Sequence, residues 1–103
     1  MAEFVKLTTV SELPPEGEAR EFEINGKAIC VAHTMEGFAA MDNVCVHRGG
    51  PLGQGVVDGN KVVCPWHGWA FDANTGASAH NADVRVKVYA MKIEGEDVFV
   101  ALD

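Results

Sequence analysis

Residues 45–67 read CVHRGGPLGQGVVDGNKVVCPWH, and this stretch decides the fold. It opens on Cys45-Val46-His47 and closes on Cys64-Pro65-Trp66-His67. Each end pairs one thiol with one imidazole, and sixteen residues, 48–63, separate His47 from Cys64. Two thiolates and two imidazoles make a ligand set for a transition metal. Turns call for glycine, proline, asparagine or aspartate and have no use for Cys and His at matched offsets. Both ends sit in turn-rich sequence: Gly49-Gly50-Pro51-Leu52-Gly53 follows the first, and Pro65 and Gly68 frame the second. Glycine lets backbone amides approach an anionic centre closely. Successive N–H groups in such turns can donate to sulfur, and proline fixes the chain direction beside a ligand.

Outward from these loops the pattern is that of strands. Residues 84–89, Val-Arg-Val-Lys-Val-Tyr, alternate apolar and polar, the period of a half-buried strand. Residues 20–24 and 27–32 flank Asn25-Gly26, a two-residue hairpin turn. Further strands are predicted at 38–41, 56–57, 61–63, 69–72 and 98–102, separated by Asp58-Gly59-Asn60, Ala73-Asn74-Thr75-Gly76 and Glu94-Gly95-Glu96-Asp97. Short strands at this spacing with regular turns indicate an all-β sandwich or small barrel. Residues 11–17, with Pro14-Pro15, read as an extended connection. The first ligand pair falls in the loop after Met41 and the second at the end of 61–63.

A chain of 103 residues is one domain with a modest core, so a cofactor clamping two loops would add materially to its stability. Nearly half of the residues, 48%, are apolar, which describes a globule and excludes a disordered tail. No apolar run approaches the ~20 residues of a membrane span. The opening MAEFVKLTTV has no basic segment followed by an apolar one, so no secretory signal is read and the cytoplasm is expected. Three cysteines argue against a disulfide framework. The net charge is −7, and the first 23 residues hold Glu3, Glu12, Glu16, Glu18, Glu21 and Glu23 against Lys6 and Arg20. Such a surface makes nucleic acid a poor partner, and its field would speed encounter with a basic protein.

With these motifs the chain resembles the Rieske-type [2Fe–2S] ferredoxins, whose pattern is Cys-x-His, about sixteen residues, then Cys-x-x-His. The likeness continues through Gly49-Gly50-Pro51-Leu52, Gly68-Trp69, Phe71-Asp72, Thr75-Gly76 and residues 92–98. It implies an all-β fold: a Rieske-type iron–sulfur domain of three small antiparallel sheets, spanning 1–103, with a loop-built cluster-binding subdomain at about 42–72. It implies one [2Fe–2S] cluster per chain, with Cys45 and Cys64 on one iron and His47 and His67 on the other. High-potential members of the family carry an additional disulfide-forming Cys in each loop and hydroxyl donors to the cluster sulfurs. Here those positions are Gly50, Trp66, Trp69 and Phe71. Fewer donors lower the potential, so a value toward the negative end of roughly −150 to +300 mV is expected.

The branch implied is the low-potential soluble one, related to ferredoxin components of ring-hydroxylating dioxygenase systems. Such a protein has no catalytic residues of its own. It would take electrons from a flavoprotein reductase and deliver them to a terminal oxygenase as a monomer, with no nucleic acid or membrane partner. Two other readings stand beside it. The chain could be the small subunit of an assimilatory nitrite reductase, or Cys₂His₂ could hold zinc in a structural module. Leu52, Pro65, Trp66 and Trp69 are expected to shield the cluster from water. Cys30, in the apolar run 28–32, reads as an inert buried thiol. His33 and His80 read as surface or loop histidines, Arg48 as a solvated side chain, and Asp42 and Asp72 as turn residues. Residues 77–82 lack the proline that soluble members often carry after the second motif.

Overall fold

The computed structural model describes residues 4–44, 50–66, 68–79 and 84–101. Ten strands run in chain order as β1 (Phe4–Thr9), β2 (Ala19–Ile24), β3 (Lys27–Thr34), β4 (Gly37–Asp42), β5 (Val56–Asp58), β6 (Lys61–Val63), β7 (Ala70–Asp72), β8 (Val88–Tyr89), β9 (Met91–Glu94) and β10 (Asp97–Ala101). They form three antiparallel sheets, ordered β1-β10-β9, β2-β3-β4-β8 and β5-β6-β7. The expected all-β fold of three small sheets is therefore present. Among the described residues the only helical turns are two 3₁₀ segments, Val10–Glu12 and Leu52–Gln54. No helix among these residues is long and apolar enough to cross a membrane.

Strand β3 explains how the sheets stack. A strand points alternate side chains to opposite faces. Ile29 and Val31 face one way and pack with Ala40, Tyr89 and Val100, joined by Val5, Leu7 and Phe22. Cys30 and Ala32 face the other way and pack with Met41, Leu52, Val62, Cys64, Phe71 and Val86. The run Ala28-Ile29-Cys30-Val31-Ala32 is apolar without alternation because β3 is covered on both faces. The second of these cores is the seat of the β5-β6-β7 sheet, and Cys64 of the second motif lies in it.

The hairpin read at Asn25-Gly26 joins β2 to β3, with Ile24 opposite Lys27. Both turn residues have positive φ, 51° and 80°, as a type I′ turn requires. Two expectations change. Residues 84–89 do not form one strand; only Val88 and Tyr89 join the ladder, opposite Met41 and Ala40. Upstream, the Val86 N–H donates to Gly76 O (2.9 Å) and Arg85 pairs with Ala77, so this chain segment is spent on the loop after β7. Strand β1, absent from the sequence reading, pairs with β10 from the opposite end of the chain.

Candidate metal centre

The first ligand loop leaves β4 and is closed at its base. Val44 bridges Pro51, and the Leu52 N–H donates to Asn43 O at 2.7 Å. Asn43 is buried and acts as a strut: Oδ1 accepts the Gly53 N–H (2.6 Å), while Nδ2 donates to Glu21 Oε2 (2.6 Å). Gln54 Nε2 donates to the other Glu21 oxygen at 3.0 Å. These bonds, from Gln54 first and then Asn43, hold the Glu21 carboxyl below its ordinary value. Glycine is required at 53, since a β-carbon there would run into Glu21. Strand β2 thus pins the end of the first loop. Losing Asn43 would strand a buried amide, at a cost of about 1–3 kcal/mol.

The second loop leaves β6. The Cys64 N–H donates to Trp69 O at 2.7 Å, and Gly68 has a positive φ of 72°. Cys64 is buried, 1% exposed, among Leu52, Val62 and Phe71. Its Sγ accepts the Trp66 N–H at 3.4 Å. An N–H donor aimed at a sulfur inside an apolar shell suits a metal-bound thiolate, whose charge such donors offset. The two loops meet at Gly50: a β-carbon on that residue would lie 2.8 Å from Cys64 Sγ. The end of the 45–50 segment therefore abuts the sulfur of the second motif, as a shared centre requires.

Of the four ligands read from the sequence, Cys64 is placed in this way. Cys45, His47 and His67 lie outside the described residues, as do Arg48 and His80. The shielding side chains divide. Leu52 is fully buried and Trp69 half-buried against the same core, whereas Pro65 and Trp66 are exposed. Cys30 is buried as expected, and burial, with a smaller contribution from the Glu21 charge, pushes its thiol up to about 12. It is a neutral packing residue at any ordinary pH.

His33 is not on a loop, and it is only partly exposed. It lies half-buried in β3, with Nδ1 3.1 Å from Pro14 O and its ring 4.0 Å from that of Phe38. Asp72 does cap a turn, accepting the N–H groups of Asn74 (2.8 Å) and Thr75 (3.0 Å). Asp42 does not; it ends β4 and accepts the Tyr89 hydroxyl, whose acidity burial and that bond suppress. Sequence reasoning missed the Asn43–Glu21–Gln54 strut. An asparagine two residues before the first Cys was its sole local trace.

The Rieske [2Fe–2S] domain profile matches residues 3–90. The ferredoxin component of a naphthalene 1,2-dioxygenase system from Pseudomonas aeruginosa is 32% identical over 89 residues, 85% of this chain and 86% of that one. Among solved structures, the ferredoxin of carbazole 1,9a-dioxygenase from Nocardioides aromaticivorans IC177 superposes with a TM-score of 0.85. It is 28% identical, and the match covers 99% of this chain and 100% of that one. A chain in a complex of reduced oxygenase and oxidised ferredoxin of carbazole 1,9a-dioxygenase gives 0.80 at 28% identity, over 94% of this chain and 100% of that one.

Proposed function

The chain belongs to the Rieske [2Fe–2S] domain family, and from that premise we propose that it is a one-electron carrier serving a terminal ring-hydroxylating oxygenase. The observation that carries this reading is the extent of the match. A ferredoxin of a dioxygenase system is covered along its whole length by this fold, so the likeness extends beyond the cluster loops to the entire scaffold. The cluster of a Rieske domain takes up and releases a single electron and makes or breaks no bond in a substrate. Family membership also selects iron and sulfide over zinc for the Cys₂His₂ set.

The ligands we assign are Cys45 and Cys64 on one iron and His47 and His67 on the other. The chain's own contribution is position and environment. The Asn43 strut and the Val44–Pro51 bridge hold the first loop, and the Cys64–Trp69 bond holds the second. Buried Leu52 and Phe71 close the apolar side of the Cys64 sulfur, and the Trp66 N–H donates to it. Residues 1–103 act as one domain, with the cluster-binding part at about 42–72. We take the working form to be a monomer in the cytoplasm, fed by a flavoprotein reductase.

The net charge of −7 and the acidic β2 region favour a basic docking face on the oxygenase. Stopped-flow electron transfer from the reduced protein to a ring-hydroxylating oxygenase tests this. The rate should fall on the order of tenfold as ionic strength rises from about 0.01 M to 0.15 M, because screening shortens the reach of the attraction. A rate indifferent to salt contradicts charge-guided docking, and no transfer at all to any such oxygenase contradicts the carrier role.

A further inference from the structure

Gly50 and Trp66 meet across the two loops. Gly50 is buried, and its φ is not among the positive values that would by themselves demand glycine. What it lacks is room. A β-carbon would stand 2.8 Å from Cys64 Sγ, 2.9 Å from Trp66 Cγ and 3.0 Å from Trp66 Cδ2. Distances under 3 Å between such atoms are prohibitive, so the bare α-carbon is what lets the sulfur and the indole lie against the first loop. Trp66 is 50% exposed, and the face it covers is turned toward Gly50.

Among the described residues, the Val44–Pro51 bridge closes the first loop and the Cys64–Trp69 bond closes the second. The Gly50–Trp66 contact works between them. Trp66 also touches the sulfur directly, since its N–H donates to Cys64 Sγ. One residue thus meets the ligand atom through its backbone and the opposite loop through its ring. We propose that Trp66 is a positioning residue, a brace whose indole, seated on Gly50, holds the second loop against the first and fixes the Cys64 sulfur. The proposal rests on the reading of Cys64 as a cluster ligand.

The physical consequence is kinetic. Cluster loss requires the loops to part, and an indole packed on a backbone opposes the parting without being a ligand. The test follows bleaching of the visible absorption of the loaded, oxidised protein in excess ferrous-iron chelator. Trp66→Ala should bleach about tenfold faster than the parent, the factor that a loss of one to two kcal/mol gives. Trp66→Phe, which keeps a ring over Gly50, should stay within about threefold. Gly50→Ala should also bleach faster. The Trp66→Ala/Gly50→Ala double variant should bleach more slowly than the product of the single effects predicts, because the indole's share of the methyl's clash is then gone while that with Cys64 Sγ stays.

Far-UV circular dichroism of each variant should match the parent. A Trp66→Ala protein that takes up no cluster, beside a Trp66→Phe protein that does, supports the brace. Parental bleaching by Trp66→Ala overturns it, as does a Trp66→Phe protein that bleaches as fast as Trp66→Ala or takes up no cluster. A parent chain that binds neither iron nor sulfide overturns the ligand reading beneath it, which is a different result.

Discussion

Replacing His67 with alanine should abolish the Rieske visible absorption and the EPR signal of the reduced protein. The four ligands we assign are shared unequally: two thiolates bring negative charge to one iron, and two neutral imidazoles bring none to the other. Alanine offers no donor atom, and the sequence 64–69, whose ends are tied by the Cys64–Trp69 bond, has no second Cys, His, Asp or Glu to take its place. An iron held by His47 and His67 would then lack one of its two protein ligands, and the asymmetric pair could not persist. His33→Ala is the matched control. Its ring is committed to Pro14 O and Phe38 on β3, so the cluster spectra of that variant should be unchanged. An unaltered spectrum in His67→Ala would remove it from the ligand set.

Phe71→Ala should be the most damaging change that replaces no assigned ligand. Phe71 is fully buried at the centre of β7, opposite Val62 on β6, in the core that also holds Cys64, Cys30 and Met41. Deleting a buried phenyl ring costs about 3–5 kcal/mol through lost burial and the cavity left behind. A domain of this size has about 5–15 kcal/mol in all. The loss therefore falls on the contact that seats the cluster-bearing sheet on β3 and β4. Urea unfolding of the loaded protein should show a midpoint lowered to match. Val56→Ala, at a position 60% exposed, should shift it by less than about 0.5 kcal/mol. A Phe71→Ala protein as stable as the parent would mean that this core does not hold the sheets together.

What could be read in the sequence was local. Asn25-Gly26 specified its hairpin because the turn chemistry lies in two adjacent residues. The family was legible because chemistry, not packing, dictates the residue types of its two Cys/His motifs. Contacts built from distant segments were not legible. Strand β1 pairs with residues 97–101, and nothing within FVKLTT announces that partner. Glu21 and Asn43 lie 22 residues apart and meet because β2 and β4 flank β3. Residues 84–87 alternate like a strand, yet Gly76 captures the Val86 N–H that a ladder would have used. Asp42 reads as a turn residue until β8 brings the Tyr89 hydroxyl to it. Gly50 read as a glycine that lets backbone amides approach an anionic centre; in the fold it is space for a sulfur and an indole.

The most direct measurement is the metal and sulfide content of the purified chain after anaerobic reconstitution, taken with the Mössbauer spectrum of the iron-57 protein. Two irons and two acid-labile sulfides per chain, with the iron resolved into two unlike sites after one-electron reduction, are expected of a [2Fe–2S] centre held by sulfur on one side and nitrogen on the other. Zinc in place of iron, absence of sulfide, or two equivalent iron sites would contradict it.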